Sequence, residues 1–162
     1  MAVPTALALI LLGACATGGT PSRPAPSPPP PAGAAEPRPT LDGAWRVAAV
    51  EEVGGGERLV APTGGQQATI RFEPNGQGAT RGRASGYAGV NSFACEYVFG
   101  LGERTVGALS ISAVAATQRA GAEDAMRFES IFLEALGRAR TITFSGNDAV
   151  IDTGTRRIEL RR

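Results

Sequence analysis

Histidine and lysine are both absent from the 162 residues, and all 16 basic residues are arginine. Without histidine, Ser-His-Asp and Cys-His nucleophilic catalysis lose their base. The commonest zinc and non-haem iron ligand is also missing, as is the usual general base at neutral pH. Aromatic residues make up only 6% of the chain, with one Trp and two Tyr. A nucleic-acid-binding face needs clustered basic charge, often with aromatic platforms. Here arginines alternate with acids, and the net charge is +1. The one basic cluster, Arg156, Arg157, Arg161 and Arg162, reads as a solvated strand end. No apolar run approaches the ~20 residues that span a bilayer. Cysteine occurs only at positions 15 and 95.

What is present begins with a short apolar segment, residues 3–12, followed by Leu12-Gly13-Ala14-Cys15. Its length suits the core of a signal peptide, about 7–15 residues. The small residues Gly13 and Ala14 leave room for a peptidase. The layout resembles that of bacterial lipoprotein precursors. The resemblance implies that residues 1–14 are removed and that Cys15 carries lipid, palmitate included. It further implies attachment to the cell envelope through that lipid. Ala16, where an Asp would retain an enteric lipoprotein at the inner membrane, favours the periplasmic face of the outer membrane.

Residues 15–40 hold the lipidated cysteine and a segment dominated by Pro, Ala, Ser and Gly. Too few large apolar side chains occur there to form a core. The Pro28-Pro29-Pro30-Pro31 run favours polyproline II, and at about 3.1 Å per residue the segment would reach on the order of 75 Å. It reads as a tether between membrane and domain.

Residues 41–162 suit one domain. A strand is expected over 44–50, with Trp45, Val47 and Ala49 on one face. Residues 68–73 alternate, placing Ala68, Ile70 and Phe72 inward. Pro74-Asn75-Gly76 is a turn, and a strand over 79–84 returns beside the last. Gly82, Gly86 and Gly89 mark bulges or close backbone approach. Strand character resumes over 97–99 and again over 106–114. One helix is expected over 122–138, where Ala125, Phe128, Ile131, Phe132, Ala135 and Leu136 form an apolar stripe. Glu123 and Asp124 at its start and Arg138 and Arg140 near its end suit the helix dipole. Three short strands follow, over 141–144, 149–152 and 156–160, joined by hairpin turns. The order gives an α+β domain with an antiparallel sheet and one long helix covering an apolar face.

Several motifs in this order resemble the META domain, or HslJ-like, family. Leu41-Asp42-Gly43-Ala44-Trp45 is similar to its L-x-G-x-W opening. The run from Ala88-Gly89-Val90-Asn91-Ser92-Phe93 to Ala94-Cys95-Glu96-Tyr97 is similar to its G-C-N-x-F-x-G-x-Y core. Leu109-Ser110-Ile111 with Thr117-Gln118, and the helix around Phe128 and Leu136, resemble later segments. The resemblance implies that the sheet packed on the helix is strongly curved, partly closed and barrel-like. It implies an envelope protein connected with stress tolerance or secretion, and no established enzyme activity. Val90 stands where many members have Cys, and a second Cys near Ala120 and Gly121 is missing too. In members that have both, the resemblance implies a disulfide, so here the bridge is lost as a unit.

For chemistry, Asn91, Phe93 and Tyr97 are the candidate ligand-binding or structural residues. Asn91 serves either as a hydrogen-bonding group at a ligand site or as a turn residue. Phe93, Tyr87 and Tyr97 either line a pocket or fill the sheet's concave side. Thr117 lacks a base to activate it. Glu51 and Glu52 point to opposite faces of a strand, and the helix acids, Glu129 among them, are expected to face water. Gly54-Gly55-Gly56 is a loop rather than a phosphate cradle, since no Lys follows it. Cys95, unpaired if Cys15 is lipidated, is expected to be buried. No catalytic residue, metal ligand, cofactor or nucleic-acid partner is expected, and the domain is expected to be monomeric. The expected role is a non-catalytic stress-tolerance or binding module with an unidentified protein or small-molecule partner. The alternative is an interaction module, such as a secreted protease inhibitor or envelope assembly factor, using loops over 54–65 and 100–104.

Overall fold

The computed structural model describes residues 39–63, 66–112 and 114–162. The signal, Cys15 and almost all of the tether lie outside the described residues. Among the described residues, ten strands and one helix follow in order: β1 (Gly43–Glu52), β2 (Arg58–Val60), β3 (Thr69–Pro74), β4 (Arg81–Tyr87), β5 (Ser92–Leu101), β6 (Val106–Ile111), β7 (Ala115–Ala116), α1 (Glu123–Leu136), β8 (Thr141–Ser145), β9 (Asp148–Asp152) and β10 (Arg156–Arg161).

Hydrophobic alternation accounts for most of the strands. In β3, Ile70 and Phe72 are buried while Arg71 and Glu73 are exposed. Side chains on a strand alternate between faces, so a pattern of period two buries one face only. β4 runs antiparallel to β3 with Phe72 opposite Ala84. β5 pairs with β4 and places Phe93, Cys95 and Tyr97 inward. The hairpins from β8 to β10 fall where the turn signals put them.

Closure comes from the ends of the domain. β10 pairs with β1 from Arg46 opposite Arg161 to Glu52 opposite Arg156. The ring is then complete: β1, β3, β4, β5, β6, β8, β9 and β10 form a closed eight-stranded antiparallel barrel, with β2 and β7 as additions. The register shifts between Val47 and Ala49. Ala49 and Val50 are consequently both buried. Such a bulge sharpens local twist, and closing a sheet requires tilted, twisted strands.

The helix supplies the other part of the core. Phe128, Phe132, Ala135 and Leu136 are buried. Phe132 packs edge-on against Phe93 at 5.6 Å between ring centroids. Full burial of such a side chain contributes about 2–3 kcal/mol. Trp45 donates from Nε1 to the Leu41 carbonyl at 2.9 Å, and the Arg162 guanidinium sits 4.3 Å over its ring.

Four expectations are corrected. The helix is 14 residues rather than the longer span over 122–138, and its last turn holds no basic residue. Arg138 instead pairs with Glu134 at 3.0 Å. β4 starts and ends later than 79–84 because the turn after Pro74 extends to Thr80. The strand over 106–114 is shorter than expected: β6 stops at Ile111, and a separate strand, β7, follows beside Phe93 and Ala94 of β5. The loop over 54–65 contains β2, paired with β1.

Candidate functional site

Asn91 lies immediately before β5, at the end of the turn that begins Ala88-Gly89-Val90. Gly89 has φ +123°, a conformation that L side chains rarely adopt. The turn is closed by the Ala88 N–H donating to the Asn91 carbonyl at 2.8 Å. It delivers Asn91 to the interior, 2% exposed.

There its amide meets groups from two other segments. Oδ1 accepts from the Thr117 hydroxyl at 2.9 Å and from the Arg119 N–H at 2.7 Å. Nδ2 donates to the Arg119 carbonyl at 3.1 Å and to Glu129 Oε1 at 2.7 Å. An amide side chain has two acceptor and two donor positions, and all four are used. Glu129 Oε2 accepts from the Val90 and Asn91 N–H groups at 3.0 and 2.6 Å. The Thr117 hydroxyl also accepts from the Ser92 N–H at 3.2 Å. One carboxylate on α1 therefore ties the helix to the β4–β5 turn. One amide ties that turn to residues 117–119.

This arrangement is a latch. Every polar side-chain atom in it has a partner, and no buried side-chain nitrogen or oxygen among the described residues lacks one. A ligand would have to break bonds already made, with a cost of about 1–3 kcal/mol for each buried group left unpaired. Glu129 corrects the expectation that the helix acids face water: it is 7% exposed. Its position carried a signal. Positions 125, 128, 129, 132 and 136 lie on one helix face, so Glu129 interrupts an otherwise apolar stripe.

The other candidates are brought into the core rather than around a cavity. Phe93 and Tyr97 belong to the hydrophobic core, as does Cys95. Tyr97 packs edge-on against Phe72 at 5.3 Å. Burial, with the negative charge of Asp42, pushes its phenol above the ordinary value. Burial likewise pushes the Cys95 thiol up to about 11. A thiol so disfavoured as thiolate is a poor nucleophile.

Glu51 and Glu52 form ordinary ion pairs. Glu51 faces Arg58 at 3.6 Å and Glu52 faces Arg156 at 3.2 Å. Among the described residues, no group of three His, Cys, Asp or Glu side chains is placed to hold a metal ion. The terminal arginines are also engaged. Arg157 pairs with Asp152, and Arg161 approaches Asp148.

The sequence pattern of the META domain family matches residues 39–162, the whole of the latch and barrel. The chain belongs to the META domain family. A protein from Burkholderia xenovorans, solved by NMR, is similar to it in fold, with a TM-score of 0.55 and 20% identity. The likeness covers 75% of this chain and 82% of that one. None of the curated proteins matches.

In this META domain, Val90 and Gly121 are spatial neighbours. A Cβ built on Gly121 falls 3.3 Å from the Val90 Cβ. Val90, where many members have Cys, therefore adjoins the stretch near Ala120 and Gly121 in which the second is missing. They lie beside the latch, on the two segments that Asn91 joins.

Proposed function

We propose that this META domain protein is lipid-anchored through Cys15 at the periplasmic face of the outer membrane. Its domain acts there as a non-catalytic binding or stability module in stress tolerance. The observation that carries the non-catalytic part is the saturated latch. The most function-like polar residue, Asn91, has all four side-chain positions committed to the fold. The absence of histidine supports it, and so does the protonated, buried state of the Cys95 thiol. The anchor rests on Leu12-Gly13-Ala14-Cys15, and the stress role rests on family resemblance. Mass spectrometry of the mature chain tests the anchor. A diacylated or triacylated Cys15 at the amino terminus is expected; an unmodified terminus at Ala16 or beyond would remove it. A screen of ester, peptide and glycoside substrates is expected to give no turnover, and robust hydrolysis would end the non-catalytic reading.

The alternative interaction module draws support from Val60, 64% exposed on the short strand β2. Inhibition of an envelope protease that is lost in Val60→Asp would favour it.

A further inference from the structure

Two depressions meet on the outer face of the barrel at Val98. This side chain is 44% exposed, one of few large apolar groups left in solvent among the described residues. Arg81 stands directly opposite it on β4 and Ser110 on β6. Gly100 and Ala108 form the next outward-facing pair on β5 and β6. Neither has a side chain large enough to cover the sheet. A groove of about 560 Å³ runs over Val98, Gly100 and Ala108, between Thr80 and Ala139. A second, of about 320 Å³, shares Val98 and Ser110 and is lined further by Asn75, Arg81 and Glu96. One half is therefore largely apolar, and the other carries hydrogen-bonding and charged groups. Small-molecule sites combine an apolar wall with a few polar groups in this way, at about 300–1,000 Å³.

The charge is uneven. Among the described residues, ion pairs occupy Arg58, Arg71, Arg127 and Arg138. Arg81, at the head of the polar half, takes part in none. Glu96 is the one acid lining either half, and Arg83 lies directly opposite it across β4 and β5. On β3 to β5 around the polar half, Arg71, Arg81 and Arg83 stand against Glu73 and Glu96, an excess of one positive charge that favours an anion. The Arg81 guanidinium, the Asn75 amide and the Ser110 hydroxyl are donors suited to a carboxylate or phosphate.

We propose that this groove binds a small anionic amphiphile, with its apolar chain over Val98, Gly100 and Ala108 and its anionic head at Arg81. The site deepens the reading of the domain as a binding module. The two remain separable: turnover of a bound ester would refute the non-catalytic reading and leave the site standing. Failure to bind would remove the site and leave the anchor standing.

The test is titration of the isotope-labelled full chain, followed residue by residue by NMR, with octanoate, octyl phosphate and octanol. Saturable shifts are expected at Val98, Gly100, Ala108 and Ser110 with one or both anions, and the two arms identify the head group. Octanol should bind about five-fold more weakly, the upper range of an exposed ion pair. Arg81→Gln should weaken the anions by a similar factor, Val98→Asp should weaken them at least as much, and Arg157→Gln should change nothing. Absence of saturable shifts in the groove overturns the proposal. So does octanol binding as tightly as octanoate, or Arg81→Gln without effect. Binding of an acidic peptide there in place of both anions would also overturn it, in favour of peptide docking.

Discussion

The two polar regions of this barrel differ in how their groups are spent. Around Asn91, each donor and acceptor is matched inside the protein. Around Arg81, a cation and its neighbouring donors face an open groove. The first region holds the fold together and has nothing left with which to recognise a ligand. In the second, Arg81 takes part in no ion pair among the described residues and lines the groove with Asn75 and Ser110. In this molecule the residues that most resemble a functional motif are the structural ones.

The sharpest way to break that contrast is through Glu129. Glu129→Ala strands three N–H donors and should cost about 4 kcal/mol, read by urea denaturation. A loss below about 1 kcal/mol would mean that water replaces the carboxylate freely. Next in size is a gain. Val90→Cys with Gly121→Cys should form a disulfide, because the two Cβ positions lie near bridging distance. Gly121 is also not among the glycines with positive φ. A bridge closing this loop should add about 3 kcal/mol, lost on reduction. No gain over the reduced form would show that the latch already fixes both segments. On the other side of the comparison, Arg81→Gln should change stability by less than about 0.5 kcal/mol. A larger loss would make Arg81 structural too.

Two smaller effects depend on pH. Cys95 has its thiol raised from 9.0 to about 11 by burial. The folded state disfavours the thiolate, so its contribution to stability is full below pH 9 and is lost between pH 9 and 11. Cys95→Ala should remove that alkaline loss. A thiol reagent at pH 8 should label the folded protein far more slowly than the unfolded chain, and equal rates would contradict the buried placement. Glu159 is shifted the other way, because the Arg58 guanidinium hydrogen-bonded to it holds its carboxyl below the usual range. Its contribution is present above the ordinary carboxylate value and is lost as pH falls through the depressed one. Glu159→Gln should flatten the acid side of the stability profile slightly, since the pair is partly exposed.

Much of the fold was legible because it follows local periodicity. β3 and the three closing strands announce themselves through alternation and turn residues, and the META motifs fixed their order. The β1–β10 pairing joins residues more than a hundred positions apart, and no local pattern encodes it. Only the curvature implied by the resemblance pointed that way. The bulge after Val47 was hidden because Ala49 and Val50 are both apolar. β2 was hidden by its three-residue length inside a glycine-rich stretch. Glu129 was missed for a different reason. A charged residue on a helix is ordinarily solvated, and the argument for burial lay in its place on the apolar face. The outer groove at Val98 left almost no trace, because an exposed valine flanked by small residues reads as any other strand.

The central claim is that Asn91 is part of the latch and not of a ligand site. Equilibrium unfolding of Asn91→Ala in urea tests it most directly. The expected result is a loss of about 3 kcal/mol, from removal of four hydrogen bonds and exposure of their partners without replacement. Unchanged stability in that variant would contradict the latch and return Asn91 to the list of residues awaiting a ligand.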